Sequence, residues 1–174
     1  MKRAVRRSIY FLRENIWVPA GEEVLLASEN HLEVFANDGE LAAFVAYACA
    51  FPNACLCLVD TYDTLHSGIP NFVCVAKTLD DFGYVPKGVR LDSGDLVALS
   101  KGCKAAFDRV VASEPLRAAA FRNLTIVASN DINEATLQGF QLAQQHCLTA
   151  FGIGTNLVTC QAQPALGCVY KLGE

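Results

Sequence analysis

Residues 87–110, KGVRLDSGDLVALSKGCKAAFDRV, carry three kinds of segment in one line. Lys87 to Leu91 is a short, mostly apolar run of the length expected for a buried strand. Asp92, Ser93, Gly94 and Asp95 interrupt it with two carboxylates, a hydroxyl and a residue free to turn. Leu96, Leu99, Cys103, Ala106, Phe107 and Val110 follow at three- and four-residue spacing, which predicts one apolar face of a helix. The unit is strand, polar rim, helix.

The same unit recurs on both sides. Upstream, NDGE (Asn37 to Glu40) has the form of a helix start, a cap residue with a Glu three positions on, and predicts a helix ending near Pro52. ACLCLVD (Ala54 to Asp60) predicts a buried strand. Phe72, Val75, Ala76, Leu79 and Phe82 then mark a helix that Gly83 stops. Downstream, LTIVA (Leu124 to Ala128) predicts a strand and about Ile132 to His146 a helix. LTAF (Leu148 to Phe151) predicts a fourth strand and GCVYKL (Gly167 to Leu172) a fifth. Continuously apolar strands alternating with amphipathic helices predict an α/β fold with a parallel sheet covered by helices. Right-handed crossovers put every strand's C-terminal end on one rim, where open sheets and closed barrels alike bind ligands. Four or five strands do not decide between sheet and barrel.

The bulk properties narrow the class. With 174 residues, 52% hydrophobic and 18% charged, the chain has enough apolar content for a sizeable core and is not disordered. A net charge of −4 leaves no nucleic-acid footprint. The longest apolar stretch, LAAFVAYACAF (Leu41 to Phe51), is shorter than the roughly 18 residues a membrane span needs, so a membrane is not an expected partner. The eight cysteines lack zinc-type spacing. Cys55 and Cys57 share a strand face, and Cys49, Cys74, Cys103, Cys147, Cys160 and Cys168 lie among apolar neighbours. They are expected to be reduced, small hydrophobes of a cytoplasmic protein. Lys2, Arg3, Arg6, Arg7 and Arg13 precede the first acid, Glu14. That pattern suits a transit peptide, but a poorly joined start is the favoured reading. Residues 1–36 are left as an unassigned basic segment and the domain is drawn from 37 to 174.

Each strand should deliver polar residues to the rim. The first brings Asp60, Thr61, Tyr62 and Asp63, the second Arg90, Asp92, Ser93, Gly94 and Asp95. The third brings Ser129, Asn130 and Asp131, the fourth Gly152, Gly154 and Thr155. This set suits a phosphorylated, polyhydroxylated ligand. Carboxylates accept from sugar hydroxyls or hold Mg²⁺, a guanidinium pairs with phosphate, and glycines let backbone amides approach phosphate oxygens. Plainer roles compete. DINE (Asp131 to Glu134) fits a helix cap with its partner acid, and Ser93 or Asp92 could cap the helix after Leu91. Asp80 and Asp81 read as solvated, His31 and His146 as surface residues, and His66 as structural. Arg90 is harder to dismiss, because a charge inside a buried strand needs a partner.

Several long strings carry a family resemblance. They are GELAAFVAYA, LVDTYDT, SGIPNF, GVRLDSGDL, VASNDINE, FGIGTNLVTC and QPALGCVYKL. From about Gly39 to Leu172 the chain resembles the later part of the nicotinate phosphoribosyltransferases, within the wider type II phosphoribosyltransferases. The resemblance implies an incomplete TIM-like (β/α) barrel, with a separate domain built partly from the N-terminal segment. It implies a reaction that joins nicotinate to phosphoribosyl pyrophosphate, giving nicotinate mononucleotide and pyrophosphate in NAD salvage. Mg²⁺ and coupled ATP hydrolysis belong to that reaction, and a homodimer completes the site in the full-length protein. Carried over by position, Asp60 and Arg90 face the substrates and Asp92 meets the ribose. Asn130 and Asp131 complete the ribose side, and Gly152, Gly154 and Thr155 cradle the 5′-phosphate. The family's phosphorylated histidine belongs to a segment before the matched region, and His31, His66 and His146 sit in no matching motif. The chain alone is therefore expected to turn over little or no substrate. Two rivals stay open: another sugar-phosphate barrel enzyme, and a non-catalytic fragment or pseudoenzyme that pairs with a full-length subunit.

Overall fold

The structure, a computed structural model, describes residues 36–143 and 146–159. The expected fifth strand, Cys160, Cys168, His31 and the basic N-terminal residues lie outside the described residues. Asn37 opens α1 (Asp38–Ala50) by accepting from the Glu40 amide at 2.9 Å, and the chain then enters β1 (Leu56–Leu58). A single π-helical turn (Thr64–Gly68) leads into α2 (Ile69–Asp81). Next come β2 (Gly88–Leu91) and α3 (Leu96–Ser113). A 3₁₀ turn (Pro115–Arg117) and the short α4 (Ala118–Phe121) precede β3 (Thr125–Ala128). Last are α5 (Glu134–Ala143) and β4 (Ala150–Phe151).

All three strand pairings are parallel and the order is β1-β2-β3-β4. In register, Leu58 faces Arg90, Arg90 faces Val127 and Ala128 faces Phe151. Strand order that advances without reversing is the winding of a barrel segment, whereas a doubly wound sheet reverses at a switch point. The two sheet faces differ as that winding requires. Cys57, Val59, Val89, Leu91, Ile126 and Ala128 are at most 2% exposed and belong to the core under the helices. Leu56, Leu58, Thr125, Val127 and Ala150, on the opposite face, are only half-buried. Phe72 of α2, Phe107 of α3 and Phe121 of α4 tie the helical layer together, with ring centroids 5.9 and 6.4 Å apart. Each such burial is worth about 1.5–3 kcal/mol.

Four details differ from expectation. Arg90 lies on the open face of β2 and is exposed, so the strand is buried around it but the charge is not. Asp80 and Asp81 are not simply solvated. Arg117 bonds Asp80 at 3.1 Å, Asp81 at 2.8 Å and Glu114 at 2.6 Å, and it also donates to the Lys77 carbonyl. His146 is half-buried beside Phe140 and Phe151, with centroids 6.0 and 6.3 Å away, rather than a surface residue. Glu40 does not complete a capping box, because its carboxylate turns inward to Ser67 and Asn71. Four cysteines are buried as expected, Cys55, Cys57, Cys74 and Cys103, with the Cys55 and Cys57 sulfurs 3.7 Å apart on one strand face, whereas Cys49 and Cys147 are only half-buried.

Candidate functional site

The C-terminal ends of the strands meet in a hydrogen-bonded chain. Asp60, just after β1, accepts from the Asp92 amide at 2.6 Å and from the Ser93 hydroxyl at 2.7 Å, both at Oδ2. Arg90 donates from Nε to Ser129 Oγ at 2.7 Å and from Nη2 to Asp92 Oδ2 at 3.3 Å. Ser129 Oγ lies 2.9 Å from Asp92 Oδ1. Three strand ends are thus locked together, with Ser129 as the joint between β2 and β3. Ser129 is recognisable in sequence only as one more polar residue at a strand end; its connecting role needs the register of β2 against β3.

The turn after β2 depends on Gly94, whose φ of +72° is a conformation that favours glycine. Asp95 then caps α3, accepting from the Ala98 amide at 3.0 Å. Asp92 and Ser93, the residues expected to compete for that cap, are left for the rim. A parallel shift occurs after β3. Asn133, not Asp131, accepts from the Thr136 amide at 2.9 Å at the start of α5. Asp131 has a φ of +48° and is exposed, and its carbonyl accepts from Thr136 Oγ1. In both places the cap falls on the later residue, and the earlier carboxylate stays at the strand end.

Two clefts flank the chain. One, of about 360 Å³, lies between the third and fourth strand ends and is lined by Ser129, Asn130, Asp131, Asn133, Gly154 and Thr155. Gly154 has nothing within 4 Å of where a Cβ would stand, so its backbone is open to a ligand. Gly152 is different: its amide donates to the Ala128 carbonyl at 2.8 Å, and a Cβ there would come within 3.2 Å of Ser129. The second cleft, of about 300 Å³, holds Asp60, Tyr62, Asp63, His66, Ser93 and Gly94. Tyr62 is exposed there. His66 Nδ1 lies 2.9 Å from Asp63 Oδ1, and Asp63 also accepts from the Leu65 and His66 amides, so this histidine is held by the turn. Partial burial works to raise the Asp63 carboxyl, but the hydrogen bonds from His66 and Leu65 outweigh it and hold the group below its usual range.

The expected residues therefore divide into two groups. Asn130, Asp131, Gly154 and Thr155 share the first cleft; Asp60, Tyr62, Ser93 and Gly94 share the second. Arg90 and Asp92 belong to the chain between them. Asp95 faces the helix it caps. Such a rim can hold a ligand long enough to lie across both clefts, with anionic groups near Arg90 and Gly154 and hydroxyls near the carboxylates. Among the described residues no three or more His, Cys, Asp or Glu side chains are grouped to hold a metal ion. No described helix is long and apolar enough to cross a membrane.

The chain is similar to known proteins over most of its length. Over 138 residues, 79% of this chain, it is 56% identical to nicotinate phosphoribosyltransferase of Dictyostelium discoideum. It is 55% identical to that of Caenorhabditis elegans over 136 residues. The chain spans 23% and 24% of those relatives' lengths. The crystal structure of human nicotinic acid phosphoribosyltransferase superposes on 88% of this chain with a TM-score of 0.66 and 33% identity, the match covering 27% of the human chain. A model of the nicotinate phosphoribosyltransferase (NAPRTase) family matches residues 14–174, beginning upstream of residue 37. By that match the chain belongs to the nicotinate phosphoribosyltransferase family.

Proposed function

We propose that this chain carries the phosphoribosyl-binding rim of a nicotinate phosphoribosyltransferase, which joins nicotinate to phosphoribosyl pyrophosphate in NAD salvage. The observation that carries the reading is the chain from Asp60 through Asp92 and Ser129 to Arg90, set between two clefts at the ends of parallel strands. Gly154 and Thr155 receive the 5′-phosphate, while Asn130, Asp131 and Asp92 face ribose hydroxyls. Arg90 faces the pyrophosphate or the nicotinate carboxylate. Asp60 shapes the Asp92–Ser93 turn, and Tyr62 lines the second cleft. Loss of pyrophosphate develops positive charge at the ribose C1, and preorganised carboxylates stabilise it.

Mg²⁺ fits this donor set as a substrate-carried ion, because it keeps several waters and takes one or two carboxylates along with phosphate oxygens. Asp92 and Asp131 are the candidates to reach it. When bound it neutralises charge on the leaving pyrophosphate. ATP enters as co-substrate of the whole enzyme, in a cytoplasmic homodimer that completes the site. The chain alone, covering about a quarter of its relatives, turns over little or no substrate.

The test is a panel of labelled phosphosugars offered to the purified chain with Mg²⁺, followed by nicotinate and ATP. The reading predicts preference for phosphoribosyl pyrophosphate and little nicotinate mononucleotide. Equal retention of unrelated phosphosugars would favour a different sugar-phosphate enzyme. Robust turnover would refute the dependence on the rest of the protein.

A further inference from the structure

Behind the rim lies a polar network that contacts neither cleft. Glu40 of α1 is 5% exposed and Asn71 of α2 is 0% exposed. Glu40 Oε2 accepts from Ser67 Oγ at 2.6 Å and from Asn71 Nδ2 at 3.0 Å. Asn71 Nδ2 also donates to the Asn37 carbonyl at 3.0 Å, and the Asn37 amide donates to Ser67 Oγ at 2.8 Å. Four residues thereby join the start of α1 to the π turn, whose Ser67 and Gly68 amides donate to the Asp63 carbonyl. Gly68 presses that turn onto the residue just after β1, since a Cβ there would lie 1.9 Å from the Val59 carbonyl oxygen.

Among the described residues, two buried atoms of this network have no partner: Glu40 Oε1 and Asn71 Oδ1. Both are acceptors when Glu40 is ionised. Reversing the Asn71 amide does not help, because its nitrogen faces two oxygens that both need a donor. Leaving a buried polar group unpaired is destabilising, because the hydrogen bond it made with water in the unfolded chain is not replaced. A single hydrogen on Glu40 Oε1 satisfies both orphans if it is given to Asn71 Oδ1, completing an acid–amide pair whose other half is the Nδ2 to Oε2 bond.

We propose that Glu40 is a positioning residue that works as a neutral carboxylic acid, its proton shared with Asn71, and that this pair holds the Asp60–Gly68 rim segment in place. Burial is the largest influence on the Glu40 carboxyl and raises it. Hydrogen bonds from Ser67 and Asn71 pull the other way, and repulsion from Asp60 and Asp63 adds to the rise, so the net shift is upward from 4.5. The titratable groups facing it are Asp60 and Asp63 on the rim side and Cys57 from β1, whose thiol is kept neutral by its contact with Cys55 and by burial. A raised carboxyl means that the folded state holds the proton more tightly than the unfolded one. The stabilisation is full below the ordinary glutamate range and is lost as pH rises through the folded value.

The inference concerns this chain's own fold and does not rest on the phosphoribosyl reading. Its test uses the 174-residue chain as wild type, Glu40→Gln and Glu40→Ala. Gln reproduces the neutral acid, with a carbonyl for Ser67 and an amide donor for Asn71. Infrared titration should show a protonated-acid carbonyl band persisting above the ordinary glutamate range in wild type and missing from Glu40→Gln. Hydrogen exchange of residues 65–68, corrected for intrinsic rates, should lose protection by about tenfold as pH rises in wild type, the effect of one buried polar group left unpaired. Glu40→Gln should keep full protection at every pH, and Glu40→Ala should lack it throughout. Asp63 and His66 are present in all three proteins, so their own ionisation cancels in the comparison. Absence of the acid band, or loss of protection in Glu40→Gln as large as in Glu40→Ala, overturns the proposal. If Glu40→Ala does not fold, the band and the Gln variant still decide it.

Discussion

Arg90 and Arg117 are both held by carboxylates, yet their surroundings are opposite. The Arg117 side chain is 16% exposed and each of its nitrogens has a protein partner: Nε on Glu114, Nη1 on Asp80 and the Lys77 carbonyl, Nη2 on Asp81. It joins the end of α2 to the turn after α3, and Lys77 completes the group through Glu114. The Arg90 side chain is 45% exposed and is steadied at Nε and Nη2 by Ser129 and Asp92. Among the described residues Nη1 has no partner. A guanidinium saturated by protein is a staple, whereas one oriented by two bonds with a donor to spare is preorganised for an anion. Burial and count of partners separate the two roles; residue type does not.

Breaking the staple should have the largest effect. Arg117→Ala leaves three partly exposed acids without their shared cation and should lower stability by about 2–3 kcal/mol in denaturant unfolding, more than one exposed pair because four hydrogen bonds are lost together. Phosphoribosyl pyrophosphate binding by the molecules that remain folded should be unchanged. Arg90→Ala should do the reverse. Its exposed pair contributes within about 1 kcal/mol to stability, while loss of a charge-assisted bond to ligand should weaken binding by about fiftyfold in calorimetric titration.

A pH series sharpens the contrast. Partial burial works to raise the Glu114 carboxyl, but the bonds from Lys77 and Arg117 outweigh it and hold the group below 4.5. The folded state thus releases that proton more readily, and the stabilisation is present above 4.5 and lost as pH falls through the folded value. Acid unfolding followed by circular dichroism should show a shallower loss in Arg117→Ala than in wild type, and an unchanged slope in Arg90→Ala. The smallest effect belongs to Asn133→Ala. Removal of one helix cap should cost about 1 kcal/mol, and unchanged stability would return the cap to Asp131.

Much of the fold is legible in the sequence because the strands are short apolar runs and the helices keep an apolar face. The stretch from Val89 to Val110 reads directly as β2, rim and α3. The rim is legible because each strand ends in polar residues. Less legible is which of several neighbouring polar residues caps a helix. Asp92, Ser93 and Asp95 are all good caps, and the backbone through Gly94 decides for Asp95. The same holds for Asp131 and Asn133. Glu40 resembles a capping acid in NDGE, but its inward turn depends on Ser67 and Asn71, 27 and 31 residues away. Arg117 lies 36 to 37 positions from Asp81 and Asp80, beyond any local pattern. The π turn at Thr64–Gly68 and the brief α4 are too short to show a periodicity.

The central claim is that the Asp60–Asp92–Ser129–Arg90 chain receives a phosphoribosyl ligand. Its most direct test is titration of phosphoribosyl pyrophosphate, with Mg²⁺, into wild type, Arg90→Ala and Arg117→Ala, with binding stoichiometry referred to folded protein. The account predicts saturable binding by wild type and Arg117→Ala, and about fiftyfold weaker binding by Arg90→Ala. Equal binding by all three proteins, or none by wild type, would contradict it.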